Sequence, residues 1–206
     1  MKKFHSALHL GVRITGLMLS ASAAFAQGLP SQPDVNPGAM TSAMAESLQF
    51  YKQMHAVLSH PRCVNCHPKD DTLKLGLDGH VHSPPITCGP QDSGTPGLPC
   101  VACHNEANFD PGRVPGASNW HLVPAPMAWD GKSAGELCRA MTNRSKNGNR
   151  NLQATVKHLT EDKLVAWGWE PGIDVYGKSH EPVPLPRAEF DRVVVAWAKT
   201  GGACPD

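Results

Sequence analysis

The apolar residues between about Ser42 and Ser59 recur at helical spacing. They follow one another at steps of four, three, three and four residues: Met44, Leu48, Tyr51, Met54 and Leu58. Residues at these intervals lie on one face of an α-helix. The pattern therefore predicts a helix over residues 42–59 that packs this face against a core. Pro61 favours an end to the helix just before it.

The second half of the chain contains further helical patterns, separated by polar turns. Ser133 and Glu136 have the spacing of a capping box, which predicts a helix from there to about Arg144. Two short helices are expected at about 152–159 and 160–167. The second of these should begin at Thr160, because two acidic residues follow it directly.

The last predicted helix covers about residues 187–199, with Gly201 as its C-cap. Its inward face should carry Phe190, Val193, Val194 and Trp197. Pro and Gly interrupt much of the remaining chain, and residues 69–99 predict one long loop without strands or helices. We therefore expect an all-α fold with few helices. A loop of such length usually has a functional task.

One pentapeptide pattern, Cys-x-x-Cys-His, occurs twice, at residues 63–67 and 100–104. This pattern is typical of c-type haem attachment. Two thiols on one helical turn can add to the two vinyl groups of a porphyrin, and the histidine that follows then binds the iron as proximal ligand. The sequence predicts two covalently bound haem c groups, wrapped by the long loops. The predicted attachment residues are Cys63, Cys66, Cys100 and Cys103, and the predicted proximal ligands are His67 and His104.

Other uses of these cysteines explain the pattern less well. The paired cysteines of zinc ribbons are usually about 15–20 residues apart, whereas 33 residues separate Cys66 from Cys100. A thioredoxin-like redox pair or a disulfide framework leaves both histidines unexplained. The two copies begin only 37 positions apart. That is too short for two tandem monohaem domains, so we expect both haems in one domain.

The N-terminus predicts export. A positively charged start, an apolar run and the small-x-small site Ala24-Phe25-Ala26 predict a secretory signal peptide over residues 1–26. The run is short and contains Arg13, which argues against a membrane anchor. We expect a periplasmic protein without a transmembrane anchor after signal removal. Residues 27–40 predict a flexible leader, and residues 41–206 a single di-haem cytochrome c domain.

Charge and motifs restrict the function classes. Without the signal peptide, 16 basic residues stand against 18 acidic ones, a net charge of −2. This balance does not favour nucleic-acid binding. The chain has no glycine-rich phosphate loop, no dinucleotide fingerprint and no evident nucleophile or acid–base pair. These features favour an electron carrier over an enzyme. The alternative is a di-haem peroxidase-like enzyme with one open iron.

The motifs do not specify the sixth ligand of either iron. The mature chain contains seven histidines beyond the two proximal ones: His55, His60, His80, His82, His121, His158 and His180. We expect bis-histidine coordination by His82 and His158, with His121 as the third candidate. His80 is the nearest rival of His82. Met127 is the best methionine candidate, and a methionine ligand would raise the reduction potential.

Three cysteines remain once four are assigned to haem. Because the number is odd, one disulfide and one free thiol are the simplest arrangement. Cys138–Cys204 is the favoured pair, since it would pin the C-terminal tail to a helix. Cys88–Cys138 and Cys88–Cys204 stay open as alternatives.

Several segments resemble a family of small exported bacterial di-haem cytochromes, often labelled isoquinoline 1-oxidoreductase subunits. The resemblance covers about residues 48–205 and rests on His60 to Pro68, Pro115-Gly116, Trp120-His121-Leu122, Met127-Ala128-Trp129, Asn147 to Arg150, Val165 to Gly172 and Gly201 to Pro205. It implies an electron-transfer partner of a periplasmic molybdenum hydroxylase-type dehydrogenase, which passes electrons on to a soluble or membrane acceptor.

The same resemblance bears on single residues. The family pattern includes His82, His121 and His158, which supports the choice of distal candidates. It has a basic residue where this chain has Cys88, and this difference favours the Cys138–Cys204 disulfide.

Overall fold

The computed structural model describes residues 37–174 and 176–206. These residues belong to one compact unit. The predicted signal peptide and most of the predicted leader lie outside the described residues. No helix in the described part of the chain has the length and apolar character needed to cross a membrane.

The first helix, α1 (Pro37–Leu58), carries much of the main core. It begins at Pro37, about five residues before the start predicted at Ser42. Tyr51, Met54 and Leu58 are buried as expected, but Met44 is 54% exposed. Near this end of the helix Ser47 is buried instead, because its hydroxyl bonds to the carbonyl of Trp197.

Three longer helices complete this core together with α1: α3 (Ala134–Thr142), α4 (Leu152–Glu161) and α6 (Arg187–Lys199). The capping box at the start of α3 is present, with Ser133 and Glu136 exchanging hydrogen bonds between side chain and backbone. The bounds of α6 agree with the prediction. Its four inward side chains are fully buried: Phe190, Val193, Val194 and Trp197.

The junction between the two middle helices was predicted wrongly. Thr160 lies inside α4, where its hydroxyl donates to the carbonyl of Val156. The next helix, α5 (Lys163–Ala166), is capped by Asp162, whose carboxylate accepts from the backbone amides of Leu164 and Val165. Asp162 satisfies free amides at the start of α5, whereas Thr160 is the ninth of the ten residues of α4 and cannot cap the next helix.

Segments predicted as loops contain three small antiparallel hairpins: β1 (Lys74–Leu75) with β2 (His80–Val81), β3 (Gly94–Thr95) with β4 (Leu98–Pro99), and β5 (Ala107–Phe109) with β6 (Val114–Ala117). The prediction that residues 69–99 lack strands was therefore wrong. Strands of two residues are too short to show an alternating pattern, which is why the sequence did not reveal them.

A second, smaller core lies beneath the hairpins. It consists of Leu73, Ile86, Cys88, Cys100 and Leu122, with Leu98 and Trp120 packed against it. Cys63, by contrast, packs against the main helical core. The two Cys-x-x-Cys-His motifs therefore rest on different hydrophobic clusters of one compact unit.

The C-terminal tail is fixed to the main core. Cys138 of α3 and Cys204 form a disulfide with a Cα–Cα distance of 5.5 Å, which is the pairing we favoured. Ala203 adds two hydrogen bonds, accepting from Trp197 Nε1 at 2.9 Å and donating to Ser47 Oγ at 2.9 Å. Cys88 has a free thiol.

Candidate functional site

Both motifs fold into the same tight turn. The first begins in the short helix α2 (Pro61–Val64), and the second in a 3-10 turn over Cys100–Ala102. In each, the amide of the second cysteine donates to the carbonyl of the first at 3.2 Å, and the amide of the histidine donates to the same carbonyl. All four motif cysteines carry free thiols. Each turn therefore presents two thiols and a histidine from adjacent positions.

The two motif histidines are held in the same way. His67 Nδ1 donates to the carbonyl of Met127 at 2.8 Å, and its ring stacks on Trp129 with centroids 3.5 Å apart. His104 Nδ1 donates to the carbonyl of Pro115 at 2.7 Å, and its ring stacks on Trp120 at 4.4 Å. Because a carbonyl can only accept, the proton is on Nδ1 and the lone pair is on Nε2. A histidine anchored in this manner is typical of a metal ligand.

Both rings are also neutral near pH 7. Burial lowers the pKa of His67 to about 4, although the hydrogen bond to Met127 acts against this shift. Burial likewise lowers the pKa of His104. Since only an unprotonated nitrogen can bind a metal, both residues are ready to act as ligands without first losing a proton.

We call the space beside the first motif the first cavity. It has a volume of about 350 Å³ and is lined by both cysteines and the histidine of that motif: Cys63, Cys66 and His67. Its volume is in the range of sites for organic ligands. Trp129 is a further lining residue, and its Nε1 is a buried donor without a hydrogen-bond partner in the described part of the protein. Such a donor fits a bound group that carries an acceptor.

Two of the predicted distal ligands, His121 and His158, also line the first cavity. His121 Nδ1 donates to the carbonyl of Asn119 at 2.6 Å, and His158 Nδ1 lies 3.2 Å from a carboxylate oxygen of Asp162. Either ring can therefore offer Nε2 to a metal. Burial lowers the pKa of His158 and so favours its neutral form.

His82 and His104 both line a further space, which we call the second cavity. The two ring centroids are 6.2 Å apart with an interplanar angle of 66°. Two imidazoles that bind one metal from opposite sides, with metal–nitrogen bonds of about 2 Å, have centroids roughly 6 Å apart. Aromatic rings in edge-to-face contact have a similar spacing. His82 Nδ1 donates to the carbonyl of Pro84 at 2.8 Å, which again leaves the lone pair on Nε2.

The second cavity is much narrower than the first. Its volume is about 50 Å³, and neither thiol of the second motif lines it. The side chain of Cys100 is instead buried in the smaller hydrophobic core beneath the hairpins, and that of Cys103 is exposed to solvent. The two imidazoles at this site could bind a haem iron, but the second cavity is smaller than the first.

Two other histidines are less suited to act as distal ligands. His80 Nδ1 lies 2.7 Å from a carboxylate oxygen of Asp78, and its side chain is 56% exposed. His60 Nδ1 accepts from the backbone amide of Arg62, which places its proton on Nε2, the wrong tautomer for a ligand through that atom. The carbonyl of Met127 holds His67, so this methionine lies on the proximal side of the first cavity.

Sequence reasoning missed two of the three residues that line both cavities, Arg62 and Trp167; the third, Cys66, was predicted as an attachment residue. It also missed Arg150, which lines the first cavity alone. Trp167 packs edge to face with Trp120 at 5.2 Å. The only signal in the sequence was the position of Arg62 directly before the first motif.

Comparisons with known proteins leave the chain without an assigned relative. No family model matches it, no curated protein matches it, and no solved structure matches it. Within residues 37–174 and 176–206, no three His, Cys, Asp or Glu side chains form a group that could hold a metal ion by themselves. A haem brings four nitrogen ligands of its own and needs no such group.

Proposed function

We propose that this chain is a periplasmic di-haem c-type cytochrome that acts as an electron-transfer subunit. The proposal depends chiefly on one observation, the matching arrangement of His67 and His104. Each follows two free thiols on one turn, donates Nδ1–H to a backbone carbonyl and stacks on a tryptophan. In both copies of the motif, this arrangement presents two thiols for attachment and one oriented imidazole for ligation.

The protein residues have separate tasks in this proposal. The four motif thiols would hold the two haems covalently, and His67 and His104 would bind the irons through Nε2. Met127, Pro115 and the stacked tryptophans keep each imidazole in one orientation and one tautomer. The haems supply one-electron redox chemistry when bound. The protein sets their spacing, their axial ligands and their exposure to water.

Bis-histidine ligation is the state that the distal side supports best. His82 faces His104 across the second cavity, while His158 and His121 share the first cavity with His67. Two histidine ligands leave no open coordination position, and such an iron exchanges electrons without binding a substrate. For this reason we favour a carrier over the peroxidase-like enzyme.

The electron donor is proposed from the sequence resemblance alone. By that resemblance, a periplasmic molybdenum hydroxylase-type dehydrogenase would reduce this chain, and a soluble or membrane carrier would reoxidise it. Rapid reduction of both haems by such a dehydrogenase with its substrate is the expected result in stopped flow. Absence of reduction would remove this donor from the proposal and leave the di-haem assignment in place.

Haem attachment itself is tested by mass and by haem count. The protein, exported in a host that matures c-type cytochromes, should carry two haems after denaturation. Replacing Cys63 and Cys66 by Ala should remove one of them, and replacing Cys100 and Cys103 should remove the other. Cys88→Ser is the matched control and should keep both. A wild-type protein without covalently bound haem would refute the proposal.

A further inference from the structure

Arg62 occupies the wall between the two cavities. It is a lining residue of both, as is Trp167, and its guanidinium carbon lies 6.0 Å from the centroid of the Trp167 ring. The side chain is half-buried. A positive charge is therefore present where the two sites approach each other.

The position of Arg62 is fixed from two sides. Its Nε donates to the carbonyl of Glu181 at 2.9 Å, and its backbone amide donates to His60 Nδ1. The carboxylate of Glu181 is the acidic group that acts on it electrostatically, and His180 of the same loop is the neighbouring titratable ring. A guanidinium has five N–H donors, and Nε accounts for one of them.

The surroundings leave this charge incompletely compensated. Burial lowers the pKa of Arg62, and no carboxylate among the described residues forms an ion pair with it. A partly buried cation without an anionic partner is unfavourable. An anion bound within hydrogen-bonding distance of the remaining donors would remove that cost.

We propose that Arg62 is an electrostatic positioning residue shared by the two haem sites. Its guanidinium binds a carboxylate at the edge of a haem and places one positive charge beside both irons. This inference rests on the proposed function. A positive charge favours the reduced iron, which carries one charge less than the oxidised iron, so Arg62 raises both reduction potentials. Because the site is half-buried, salt screens this effect only in part.

The test is a redox titration of the complete haem-loaded protein, followed by absorbance and by EPR. Arg62→Gln should lower both midpoint potentials, and Arg62→Lys, which keeps the charge, should leave both close to the wild-type values. Arg150→Gln is the matched control, because Arg150 lines only the first cavity; it should lower one potential. Arg192→Gln, on the exposed face of α6, should change neither.

Three outcomes would overturn the inference: a shift in one potential only for Arg62→Gln, no shift in either, or equal shifts for Gln and Lys. Equal shifts would show that packing and not charge is responsible. If Arg62→Gln does not acquire its haems, Glu181→Gln is the substitute variant. Loss of this acidic group should raise both midpoint potentials. A rise in only one potential would count against a shared charge. A haem count on each variant separates these results from failure of the proposed function, in which no variant and no wild type would contain haem.

Discussion

Replacing His82 by Ala tests the assignment of the second iron most directly. His82 and His104 face each other with centroids 6.2 Å apart, and the ring of His82 is held by Pro84. Without this imidazole, one of the two irons should lose its sixth ligand. Half of the haem should then change from low spin to high spin, and the reduced protein should bind one CO per chain, whereas the wild type should bind none.

His80→Ala is the matched control. His80 is two residues away on the same hairpin, but it pairs with Asp78 at the surface and lines neither cavity. This variant should keep two low-spin irons. Added imidazole should restore the low-spin spectrum of the His82 variant, because it replaces the missing ligand without altering the fold. The reasoning fails if His82→Ala keeps both irons low-spin, or if His80→Ala is the variant that binds CO.

Two further predictions concern the remaining cysteines. Replacing Cys138 and Cys204 together by Ser opens a loop of 66 residues and should lower the free energy of unfolding by about 4 kcal/mol, as measured in guanidinium chloride; an unchanged midpoint would show that the bond constrains little. Cys88 is 9% exposed, and burial raises its pKa to about 11. Since the thiolate is the reactive form, a thiol reagent at pH 8 should label no cysteine in the native haem protein and one after denaturation. Reaction in the native state should quicken as the pH rises toward 11, and Cys88→Ser should abolish the single label.

Local sequence rules predicted the parts of the fold that depend on neighbouring residues. The capping box of α3 involves Ser133 and Glu136 alone, and the buried face of α6 follows from its own periodicity. The start of α5 depends on which of several polar residues caps it. Asp162 becomes the cap because α4 continues beyond Thr160 to Glu161, so that Thr160 is part of α4. Hairpins with strands of two residues leave no periodic signal at all.

The sequence predicts the chemistry of the candidate site more fully than its geometry. The motif spacing indicates both cysteine pairs and the two histidines that follow them, because those residues are close together in the chain. Their haem attachment and iron ligation stay predictions. The selection among the other histidines depends on distant contacts. His82 meets His104 across 22 positions, and His158 reaches the first cavity from a different helix. The tautomer that separates His60 from the others depends on one backbone amide, which composition does not reveal.

One segment without an α-helix, residues 115–129, contributes to both sites. Its beginning supplies the carbonyl of Pro115 and the ring of Trp120 to His104, and its end supplies the carbonyl of Met127 and the ring of Trp129 to His67. A regular α-helix would use these carbonyls for its own hydrogen bonds. Pro115 instead lies in strand β6 and Met127 at the end of a short 3-10 turn, where both carbonyls accept from a side chain. The lack of helical periodicity in this segment is therefore a requirement of the sites. Because a single connection holds both motif histidines, a change in its course should disturb both proposed haem sites together, which is the structural reason to regard them as one functional unit.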